Sequence, residues 1–97
     1  MKNPHYFSVL VVVLSAFIFA QAQSPGLSAP AQKAFDAGIA AAKAGDYSAA
    51  IRSLDEARKA APDAPAIYFN LGLAESKIPG REARAICALE AYLALTP

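Results

Sequence analysis

Histidine occurs once in these 97 residues, at position 5, tryptophan is missing, and the single cysteine is Cys87. The scarcity of histidine removes histidine-based acid–base catalysis, the usual serine and cysteine triads, and most zinc sites from the mature part of the chain. One cysteine allows no internal disulfide. No glycine-rich phosphate loop is present. Asp55 and Glu56 are adjacent, so on a helix they point about 100° apart and do not converge as a catalytic carboxylate pair does. An enzyme is not expected on these residues, nor is a cofactor or a metal ion.

Charge of one sign is also lacking. Nine basic residues face eight acidic ones, and they interleave, as in Asp55-Glu56-Ala57-Arg58-Lys59, in the manner of a solvated helix face. Nucleic-acid binders concentrate Lys and Arg against phosphates, so no nucleic-acid partner is expected. The apolar share is 56%, but much of it stands at the front. Lys2 precedes the apolar run Tyr6–Ala20, broken only by Ser8 and Ser15, and Ala20-Gln21-Ala22 is a small-x-small site. That order is the order of a secretory signal peptide, and the run is shorter than the ~20 residues that span a bilayer. The expectation is residues 1–22 as signal peptide, cleavage near Ala22, export to the periplasm or medium, and membrane contact only during export. Residues 23–28, rich in Ser, Pro and Gly, read as a linker.

The rest repeats itself. A shift of 34 lays Phe35 on Phe69, Gly38 on Gly72, Ile39 on Leu73 and Lys43 on Lys77. Beyond the next turn a shift of 35 lays Ala50 on Ala85, Ile51 on Ile86, Leu54 on Leu89 and Pro62 on Pro97. Ser28 and Pro30 open a first helix ending near Ala44, and Gly45-Asp46 stops it and caps a second over Tyr47–Ala60. Asp63 and Pro65 predict a third from about Ala64 to Lys77, with Asp63 as cap. Pro79-Gly80 turns the chain into a fourth, from about Arg81 to Leu95. Short turns make neighbouring helices antiparallel.

A period of about 34 residues with these small residues resembles the tetratricopeptide repeat. Gly38, Ala50, Ala57 and Pro62 in the first copy, and Tyr68, Leu71-Gly72, Ala85, Leu89 and Pro97 in the second, stand at that pattern's positions. The resemblance implies an all-α fold of two helix-turn-helix units, residues 29–62 and 63–97, forming a short right-handed α-solenoid in which glycine meets alanine between paired helices. It departs at Ala34, Ala37 and Ala41, where bulk is usual, so the first repeat is expected to pack thinly. One extra residue stands near Ile78–Arg81, and Tyr92 replaces the usual alanine.

The resemblance also implies a function, a groove lined by the first helix of each repeat that binds a peptide or a partner helix. Its residues would be Phe35, Ile39, Ala42 and Lys43 from the first copy and Phe69, Asn70, Leu73, Ser76 and Lys77 from the second. Relatives that grip acidic carboxy-terminal tails carry lysine and asparagine where this chain has Phe35 and Ile39. Asn70 matches that pattern, but the clamp does not, and the groove is apolar with two lysines at one end. Equally, Phe35, Ile39, Phe69 and Leu73 are spaced as core residues. The fourth helix is apolar most of the way round. Cys87, Leu93 and Ala94 replace Arg52, Arg58 and Lys59 of the first copy, whereas terminal repeats normally carry a polar face. Either the chain is a shortened relative of longer arrays, or Cys87, Leu93 and Leu95 mark an interface in a homo-oligomer. Cys87 itself reads first as a small half-buried apolar residue among alanines, and second as an intermolecular disulfide.

Overall fold

In the computed structural model, residues 26–97 are described. The expected signal peptide and the first half of the expected linker, residues 23–25, lie outside them. Within that range the chain forms four α-helices, α1 (Ala29–Lys43), α2 (Tyr47–Ala60), α3 (Pro65–Ser76) and α4 (Glu82–Leu95).

The starts and stops follow from local chemistry. Ser28 Oγ accepts the backbone N–H of Ala31 at 3.3 Å, with Pro30 in the first turn of α1. Asp46 caps α2 in the same way, its carboxylate accepting Ala49 N–H at 3.1 Å. Between them Gly45 has φ of 81°, which lets Asp46 N–H reach Ala41 O and Gly45 N–H reach Ala42 O. This is a Schellman closure, in which the last carbonyls of a helix find donors beyond its end. The end of α3 cannot close that way, because Pro79 stands where the second donor is needed and has no N–H. The turn instead takes one more residue, with Gly80 at φ of 89° and Arg81 N–H on Ile78 O. This accounts for the offset changing from 34 to 35.

The start of α3 corrects one expectation. Its N-cap is Ala64, with no side-chain cap. Asp63 lies a residue too early in the turn, and Pro65 contributes the favourable first-turn φ alone.

Each helix packs on the next in sequence, and α3 also touches α1, whereas α4 touches only α3. The core joins Phe35 of α1, Ala50, Leu54 and Ala57 of α2, and Ile67, Leu71 and Ala74 of α3. Leu27, within the expected linker, packs against it. Within each pair a glycine admits a leucine. A Cβ built on Gly38 would lie 2.6 Å from Leu54 Cγ and 3.3 Å from Ala50 O, and one on Gly72 would lie 2.6 Å from Leu89 Cγ and 3.4 Å from Ala85 O. The close contact is thus with leucine, the alanine contributing its backbone. The Gly38 pocket compensates for the alanines of α1, because it lets Leu54 be fully buried.

Candidate functional site

The two repeats are near copies in sequence and differ in what covers them. In the first, Phe35 is 6% exposed because α3 lies over it. Its counterpart Phe69 is 40% exposed, and Leu73, counterpart of the half-buried Ile39, is 45% exposed. Tyr92 stands beside Phe69, with ring centroids 5.2 Å apart and planes tilted by 49°. On α4, Ile86 and Leu93 are 58% and 65% exposed, and Leu95 is also exposed. All but Leu95, which at about 100° per residue lies on the far side of α4 from Ile86, make one apolar face on the second repeat. Large exposed apolar patches on a small domain mark interaction surfaces.

The expected groove residues are placed unequally. Phe35 belongs to the core, so it supports the surface and presents little of itself. Ile39 and Ala42 are half-buried against that core, while Lys43 and Lys77 are exposed at the ends of their helices. Asn70 donates its side-chain amide to Ala66 O of its own helix at 2.8 Å. Ser76 turns back likewise, its hydroxyl donating to Leu73 O. The strip open to a ligand is therefore Phe69 and Leu73, with Lys77 one turn beyond.

Cys87 is exposed, against the half-buried position expected of it. It lines a cleft of about 500 Å³ over α3 between α2 and α4, with Ile51, Arg52, Asp55, Arg58, Tyr68, Leu71 and Arg84 on the other walls. Sequence reasoning missed this cleft. The replacement of Arg52 by Cys87 between copies was visible, but not that the two helices stand apart. Asp55 accepts a hydrogen bond from Arg58 Nε at 2.8 Å, and this bond holds the guanidinium's pKa above its ordinary value. Tyr68 donates its hydroxyl to Pro62 O at 2.7 Å, anchoring α3 to the turn before it. Among the described residues Glu75, 6% exposed, is the one buried charged side chain, and it accepts from Arg81 at 3.2 Å. Among the described residues no cluster of three or more His, Cys, Asp or Glu could hold a metal ion. No described helix is long and apolar enough to cross a membrane.

Two stacked helical hairpins that bury one end of a repeated core and leave the other open define the class of helical-repeat proteins. The tetratricopeptide repeat family model matches residues 35–97, and the chain belongs to that family. Comparison with curated proteins and with solved structures finds no match. Tetratricopeptide repeats are typically non-catalytic modules of protein–protein interaction, and this is the class of function the family assigns here.

Proposed function

We propose that the chain is a non-catalytic interaction module of an exported protein, holding an apolar peptide segment or a partner helix against Phe69 and Leu73. The observation that carries this reading is the contrast of Phe69 with Phe35, one sequence position in two copies with 40% and 6% exposure. A phenylalanine kept on an open helix face, backed by the Tyr92 ring, offers a rigid anchor of the kind that dominates binding energies. Lys43 and Lys77 favour a ligand with an acidic residue at that end. Export is supported by the Lys2, apolar-run and Ala20-Gln21-Ala22 order. Panning a displayed library of 12-residue peptides against the immobilised chain tests the binding reading. Apolar peptides are expected to enrich and to lose binding to Leu73→Glu; no enrichment, or binding indifferent to that substitution, contradicts it.

A second reading, self-assembly through α4, is favoured by the exposure of Ile86 and Leu93.

A further inference from the structure

The first repeat shows what the open face of the second is shaped to receive. In the first, Phe35, Ile51, Leu54 and Ala57 are covered by α3, which inserts Ile67, Leu71 and Ala74, all at most 7% exposed. The 34-residue offset maps those three onto Lys33, Ala37 and Ala40 of α1, and all three are exposed. Among the described residues, one end is therefore a covered-type face with no cover, and the other end is a covering-type helix with nothing beneath it.

The two ends have also changed size in opposite directions. On the open face Tyr92 replaces Ala57, so the face has gained bulk there, while Leu93 in place of Arg58 makes it more apolar. On the covering helix Ala37 replaces Leu71, and Ala34 replaces Tyr68, so the helix has lost it. A bulky face meeting a slim helix restores the packing volume that close-packed interfaces require. Charge agrees. Glu90 stands between Ile86 and Leu93 where the first copy has Asp55, but Leu93 and Ala94 have replaced the Arg58 and Lys59 that pair with Asp55. Among the described residues Glu90 has no ion-pair partner, and the covering helix carries Lys33 where α3 carries the fully buried Ile67.

We propose that the open face of the second repeat binds α1 of a second copy of this chain, head to tail, with Lys33 meeting Glu90. This rests on the reading that the Phe69 face takes a helix. The lysine stem covers the Tyr92 ring and its ammonium reaches the rim, as amphipathic lysines do. Because donor and acceptor surfaces differ, the contact does not close on itself, and copies add beyond two.

Sedimentation of the full chain, expressed with its own N-terminus and kept under reductant, tests this. The mean mass is expected to rise with concentration past that of two copies. Ala37→Trp blocks the covering helix at an exposed position, and Leu93→Glu charges the open face; each is expected to weaken association at least about tenfold. Mixed one to one, they are expected to form a dimer that neither forms alone, since each retains the end the other has lost. Lys33→Glu and Ile86→Glu serve as a second such pair, with helical circular dichroism checking that each variant folds. A dimer that stops at two and survives Ala37→Trp overturns the proposal, as does a monomer at concentrations on the order of 1 mM. A monomer that still captures panned peptides removes the self-stacking and leaves the interaction reading standing; a monomer that captures none removes both.

Discussion

Replacing Gly38 by alanine measures the tightness that organises the first repeat. The added methyl would sit 2.6 Å from Leu54 Cγ and 2.9 Å from Leu54 Cδ2, with Ala50 O at 3.3 Å. Leu54 is fully buried and cannot yield without disturbing Ala57 and Ile67 around it. Overpacking of a well-filled core costs about 1–3 kcal/mol, and alanine recovers up to about 1 kcal/mol of helix propensity over glycine. A net loss of about 1–2 kcal/mol is expected for Gly38→Ala. Gly72→Ala makes the same clash with Leu89, 2.6 Å from both Cγ and Cδ2, but Leu89 is only half-buried and can swing toward the open face. Its overpacking cost therefore falls at the low end, and the net change is expected within about 0.5 kcal/mol. Urea titration followed by circular dichroism reads both. Because domains of this size are marginally stable, a fixed concentration of a stabilising osmolyte keeps the folded baseline visible. In the double variant Gly38→Ala, Leu54→Ala, the room vacated by leucine should make the losses less than additive by about 1 kcal/mol. A Gly38→Ala protein as stable as the parent, or a Gly72→Ala loss exceeding that of Gly38→Ala, would refute the reasoning.

Other expectations follow from single contacts. Asp46→Ala should cost about 1 kcal/mol by uncapping α2, while Asp63→Ala should change stability by less than about 0.5 kcal/mol because Asp63 caps nothing; paired urea titrations decide. Arg81→Ala leaves the buried Glu75 carboxylate without its partner, and a loss of about 1–3 kcal/mol is expected by urea titration. Breaking the exposed Arg58–Asp55 pair, whose side chains are 38% and 42% exposed, should cost no more than about 1 kcal/mol in a double-mutant cycle.

The helices were legible in the sequence because their signals are local. Ser28, Asp46 and Gly45 perform the roles their types imply, and the 34-residue offset located both close-packed glycines, although their side-chain partners are Leu54 and Leu89 and not the alanines expected. Asp63 misled because a cap depends on a single residue's dihedrals, and Pro65 shifted the helix start past it. Burial was less legible. Phe35 and Phe69 read as equivalent, and only the presence of α3 over one of them distinguishes core from surface. The apolar character of α4 read as a shortened array or an interface, and among the described residues the helix has one neighbour, α3. The cleft by Cys87 arises from the separation of α2 and α4, a distance no sequence pattern encodes. Equal sequence positions acquired unequal environments through stacking order alone.

The most direct test of the open face as the binding surface is a nuclear magnetic resonance map of backbone amide shifts on titrating a panned peptide into the isotopically labelled chain. The perturbed amides are expected to cluster over Phe69–Leu73 and at Ile86, Glu90 and Leu93, leaving Arg52 and Asp55 at the cleft unmoved. Shifts confined to that cleft, with Phe69 and Leu73 undisturbed, would contradict it.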